Sequence, residues 1–194
     1  MFSMQNLLIF LSTALALVAY FVYYISILKG KAKPHRTTRL VLFIISSLAT
    51  ASMFAQGNRV AIWLSGVFAV SSFVIFLMSI KYGLGGFSKL DIFCFVIALF
   101  GIAVWIYTRN PTTAIFSSIA ADFTGFLPTI IKSYKMPESE VWTFFFIGAV
   151  SAALNLLATE KWVFEAFAYP LYIILVNTIV VLLILRPVLN ISKK

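Results

Sequence analysis

The chain has 194 residues, of which 62% are hydrophobic and 11% charged, with a mean hydropathy of +1.02 and a formal net charge of +9. A soluble domain carries roughly 45–50% apolar and about 25% charged residues, so the composition excludes an ordinary soluble enzyme and predicts an all-α integral membrane protein. Period-2 alternation is absent, which argues against a membrane β-barrel.

A bilayer span needs about 20 apolar residues, because the hydrocarbon core is roughly 30 Å thick. Seven such stretches are predicted in chain order: Leu7–Leu28, Thr38–Ala55, Val60–Ile80, Leu90–Tyr107, Thr112–Ile131, Val141–Ala158 and Val163–Leu185. The first has no basic residue before it and no small-x-small site after it, so it reads as a span and not as a cleavable signal. The connections are too short for a second soluble domain.

The basic residues alternate between the two ends of these spans. Lys29, Lys31, Lys33, Arg36, Arg39, Lys81, Lys89, Lys132, Lys135, Arg186, Lys193 and Lys194 fall on one side, and only Arg59, Arg109 and Lys161 on the other. The positive-inside rule puts the N-terminus outside and the C-terminus in the cytoplasm, in a cell membrane crossed many times. It also explains the net charge without nucleic acid. An anionic-lipid site in the Lys29–Arg39 loop is the other reading of the same charges.

Set against itself at an offset of 103, the chain pairs Ile27 with Ile130, Lys29 with Lys132, Pro34 with Pro137, Phe43 with Phe146, Ile44 with Ile147 and Ala49 with Ala152. The offset lays the third span on the seventh. The organisation is three helices, a linker helix and three helices, with halves at 1–80 and 110–194 and the linker at 81–109. An odd linker leaves both triplets in the same orientation, a parallel-repeat transporter arrangement with solute held between the halves. Weak self-similarity among short-loop membrane helices is the alternative. Both halves lie in one chain, so a monomer suffices.

Asp122 stands inside the fifth stretch, where a carboxylate costs about 2.5–3.5 kcal/mol on insertion scales and marks a functional site by default. Ser118, Asp122, Gly125 and Thr129 share one helical face; Gly148, Ser151, Asn155 and Thr159 share another, and Tyr169, Ile173 and Asn177 a third. These faces either line a polar cavity or form small-residue packing seams. Pro128 frees a backbone carbonyl near Thr124. Gly125, Pro128 and Pro170 are therefore candidate hinges. Asp122, Asn177, Asn155, Thr129, Ser118 and Tyr169 are the candidate solute or proton ligands.

The remaining residues read blandly. His35 is expected to be a solvated loop residue with no metal partners nearby. Cys94 is an apolar filler. Trp63, Trp105, Trp142 and Trp162 lie near span ends as an aromatic belt, the default also for Tyr20, Tyr107 and Tyr169, for which a cavity cap is the other reading. Glu165 can pair with Lys161. Tyr82 to Gly86 reads as a flexible turn, lacking the Lys-Ser/Thr of a phosphate loop. No cofactor is expected.

Gly125-x-x-Pro128-Thr129-x-x-Lys132, followed by Pro137-Glu138-Ser139 and a new span, resembles a PQ-loop repeat. The superfamily includes SWEET sugar transporters, cystine and cationic amino-acid transporters and the KDEL receptor. The match covers roughly Tyr20–Gly57 and Asp122–Leu185. It implies seven helices as 3+1+3. Asp122-Phe123-Thr124-Gly125 looks like the cystine-transporter helix whose aspartate takes part in proton coupling, and Asn177 resembles the sugar-contacting asparagine of SWEETs. The first half has Ile25-Ser26 where the repeat has its Pro-Gln pair, and Val74 where SWEETs have the second asparagine. The expected function is secondary transport of a small polar solute, with a non-transporting receptor on the same fold as the alternative. No enzyme is expected: the spans hold neither a His/Asp metal cluster nor a Ser/His pair.

Overall fold

The computed structural model describes residues 4–55, 59–86, 88–107, 111–159 and 162–191. Arg109, Lys161, Lys193 and Lys194 lie outside the described residues, as do the side chains of Arg59, Trp63, Trp105 and Glu165. Seven α-helices are present among the described residues: α1 (Met4–Leu28), α2 (Arg36–Ala55), α3 (Arg59–Tyr82), α4 (Lys89–Tyr107), α5 (Pro111–Lys135), α6 (Trp142–Leu157) and α7 (Phe164–Ile191). A 3-10 turn at Pro137–Ser139 joins α5 to α6, and no strand is present among these residues beyond an isolated bridge between His35 and Leu84. Two helical stretches, Met4–Leu28 and Phe167–Pro187, are long and apolar enough to cross a membrane.

Local chemistry sets the helix ends. Gly30 takes φ +70° after α1, with Gly30 N–H bonded to the Ile27 carbonyl and Lys31 N–H to the Ser26 carbonyl. This is the Schellman stop, which a Cβ would disfavour. Ser88 and Asp91 cap α4 reciprocally: the Ser88 hydroxyl accepts the Asp91 N–H at 3.1 Å and the Asp91 carboxylate accepts the Ser88 N–H at 3.1 Å, a capping box with aspartate in the acidic position. Pro137 follows the end of α5, where it cannot continue the helix.

The packing has a two-fold pattern. Helix α3 packs on α1 and α2, and α7 packs on α5 and α6; between the triplets α1 packs on α6 and α2 on α5, while α4 lies against α5 and α2. Exchanging α1 with α5, α2 with α6 and α3 with α7 leaves every pairing but those of α4 unchanged. The two cross-seams are chemically different. On one, Ser12 and Ser151 exchange hydrogen bonds, each hydroxyl donating to the other's carbonyl at 2.9 and 2.8 Å. On the other, Gly125 approaches Val41 so closely that a methyl group on Gly125 would overlap it, and Thr129 donates to Thr38 at 2.9 Å.

Two expectations are corrected at the interhelical turns. His35 is buried, and its Nε2 lies 3.3 Å from the Asp91 carboxylate. The Tyr82–Gly86 turn is pinned, with Leu84 N–H bonded to the Pro34 carbonyl and Arg36 N–H to the Leu84 carbonyl. The two turns bury each other, and buried backbone groups require partners. Neither fact shows in local composition, because the turns are 47 positions apart in the chain, from Arg36 to Gly83.

Candidate functional site

A cavity of about 410 Å³ lies where the two triplets meet, with lining residues from α1, α2, α3, α5, α6 and α7. Its volume falls in the range of small-molecule sites. Asp122, Tyr169, Pro170, Asn155 and Asn177 all line it, together with Gly148 and Ser151. Asp122 and the polar residues of α6 and α7 thus share one cavity, except Thr159, which lies past the end of α6 and donates to the Asn155 carbonyl. Tyr20 and Tyr169 belong to the cavity wall and not to a belt, whereas Tyr107 is exposed.

The lower part of the α5 face goes elsewhere. Thr129 is fully buried and spends its hydroxyl on Thr38. Gly125 is taken up by the seam against Val41. Neither they nor Ser118 line the cavity. The small members of that face are packing groups, because α2 approaches there too closely to leave space. Pro128 and Pro170 both sit within helices that continue past them.

Asp122 is 2% exposed. The Tyr172 hydroxyl donates to its Oδ2 at 2.7 Å, while Oδ1 has no hydrogen-bond partner. Asn177 turns its amide back to the Ile173 carbonyl at 2.9 Å. Aromatic rings form much of the remaining wall: Tyr20, Phe68, Phe126, Phe144 and Tyr169.

Arg39 connects the cavity wall to a buried charged cluster. The Lys132 ammonium lies 2.5 Å from Glu140 Oε1 and also donates to the Lys33 carbonyl; the Tyr23 hydroxyl donates to Glu140 Oε2 at 2.7 Å. Lys33 N–H reaches the Ser139 carbonyl at 2.8 Å, so the α1–α2 and α5–α6 turns are joined. Arg39 adjoins this cluster and lines the cavity, its guanidinium 4.6 Å from the Tyr23 ring centre and 5.4 Å from that of Phe144. Tyr23 and Phe144 stack at 4.2 Å. Arg39 is 3% exposed, and its Nε and Nη2 have no hydrogen-bond partner. Ile9 and Asn155 also line the cavity and are exposed.

Lys132 and Arg39 count in the sequence as loop charges that orient the chain, and both are buried. Burying a charge is unfavourable unless it is paired, and Glu140 supplies the anion. The charge count misses this because it assigns each residue to a side and ignores depth. A signal was present: Glu138 and Glu140 are acidic residues in turns otherwise dominated by lysine and arginine. Tyr172 was missed as well, although it lies one turn from Tyr169. Among the described residues no group of three His, Cys, Asp or Glu side chains could hold a metal ion. No family model, curated protein or solved structure matches the chain.

Proposed function

We propose that the chain is a seven-span membrane transporter of the PQ-loop type, moving a small polar solute by alternating access of its two helix triplets. The observation that carries this reading is the cavity between the triplets, with a buried carboxylate in its wall and a buried charged cluster that reaches the wall at Arg39. The exchangeable packing of α1–α3 and α5–α7 supports it, since rocking one triplet against the other needs matched halves. With the basic turns cytoplasmic, the Lys132–Glu140 cluster lies toward the cell interior, and Ile9 and Asn155 lie toward the outside.

Asp122 is the coupling group in this reading. Asp122 lines the cavity and its Oδ1 has no hydrogen-bond partner, which leaves that oxygen free to take a proton when access alternates. Asn155, Asn177 and Tyr169 supply neutral polar contacts for the solute.

The test is uptake into vesicles holding the purified protein, with an inward proton gradient and a panel of sugars, amino acids and vitamins. Gradient-driven accumulation of at least one solute is expected, and Asp122→Asn is expected to abolish its dependence on the gradient. If no solute accumulates although one binds, the chain is a receptor and the transport reading fails. If Asp122→Asn leaves gradient dependence unchanged, the coupling site lies elsewhere.

A further inference from the structure

The cavity wall holds two charged groups of opposite sign, and each keeps polar atoms without a hydrogen-bond partner. Asp122 Oδ1 lacks a partner on the α5 wall, and Arg39 Nε and Nη2 lack partners on the α2 wall. Both residues are at least nine-tenths buried. Neighbouring groups do not complete them. Tyr172 has only one hydroxyl proton and gives it to Oδ2. Among the described residues Glu140 is the carboxylate whose charge acts on Arg39, and its two oxygens also take Lys132 and Tyr23. The cluster therefore pairs two cations with one anion and keeps a surplus positive charge at Arg39. The α5 wall keeps a surplus negative charge at Asp122.

Buried hydrogen-bonding groups that stay unpaired are destabilising, more so when charged. A neutral sugar would leave both surplus charges in place. A simple anion would satisfy one and repel the other. A dipolar solute satisfies both.

We propose that the cavity takes a small zwitterion, its ammonium group on Asp122 Oδ1 and its anionic group on the Arg39 guanidinium, with the aromatic wall around the remainder. The inference rests on the cavity assigned above as the transport site, and it names the class of solute. Free amino acids and ethanolamine phosphate headgroups share this chemistry. Ammonium and proton then compete for the same carboxylate oxygen, which gives solute and proton a common site.

Calorimetric titration of the purified protein in lipid nanodiscs tests the assignment. The probes are L-serine, L-leucine, L-phenylalanine, O-phosphoethanolamine and glucose. At least one zwitterion is expected to bind saturably and glucose to bind far more weakly. If an amino acid binds, its 2-hydroxy acid lacks the ammonium and its amide lacks the carboxylate. If O-phosphoethanolamine binds, ethanolamine and 2-hydroxyethyl phosphate play those parts. Each should bind about tenfold or more weakly, the loss of a hydrogen bond to a charged group. Asp122→Asn should erase the preference for the ammonium and Arg39→Gln the preference for the anion. The analogues act on the unmodified protein, so poor folding of a variant does not blunt the test. Equal binding of glucose, equal binding of either analogue, or binding of no zwitterion would overturn the inference. Glucose uptake by vesicles would overturn it while leaving transport intact. Zwitterion binding without uptake of any solute would do the reverse.

Discussion

Lys132 at the end of α5 and Glu140 just before α6 face each other across 2.5 Å, with side chains 3% and 0% exposed. Removing one partner of such a pair strands the other charge, at a cost of about 3–5 kcal/mol. Arg39 lies close enough to feel the Glu140 charge, so the two partners are not equivalent. Glu140→Gln leaves two buried cations together, whereas Lys132→Met leaves Glu140 beside Arg39. Glu140→Gln is expected to destabilise more than Lys132→Met, and the double variant less than the sum. Chemical denaturation in detergent measures all three.

Gly125 is expected to tolerate no side chain. Gly125→Ala drives a methyl group into Val41, and overpacking of this kind costs about 1–3 kcal/mol. Val41→Ala in the same chain should recover part of the loss. A Gly125→Ala protein as stable as the parent would show that α2 and α5 do not approach closely there.

Burial pushes the His35 imidazole down to about 4, with the Asp91 carboxylate opposing and Lys132 reinforcing the shift. His35 is thus neutral at physiological pH, with its Nε2 3.3 Å from the Asp91 carboxylate. Between an unfolded value near 6.5 and about 4 the unfolded chain binds a proton that the folded chain refuses, so stability falls as pH falls. Melting temperature should drop from pH 6.5 to 4.5, and by less in His35→Gln. Equal slopes would contradict a buried neutral imidazole.

Lys33 is exposed and contributes only backbone groups to the joined turns. A cysteine in its place should fold normally, and the native Cys94 is buried. Impermeant thiol reagents added outside intact cells are expected to leave it unlabelled. Labelling from outside would reverse the orientation assigned from the charges.

The helices themselves were readable from hydropathy. Predicted Val60–Ile80 became Arg59–Tyr82, and Val141–Ala158 became Trp142–Leu157. The largest errors were at the ends of α5 and α7, which run on to Lys135 and Ile191. Hydropathy marks where apolar residues stop, and a helix stops only when its backbone is capped or broken. Asp122 was readable because a carboxylate in an apolar run has few structural explanations. Arg39 was not, since an arginine at the start of a span satisfies the orientation rule whether it faces water or a cavity. Only the fold places it on the wall of the same cavity as Asp122.

The bond from the Lys33 amide to the Ser139 carbonyl has a use beyond holding two turns together. It is a single reporter proton on the seam between the α1–α2 and α5–α6 turns. Its exchange with deuterium, timed with and without solute, would count how often the two turns part, which the proposed alternating access requires of every transport cycle.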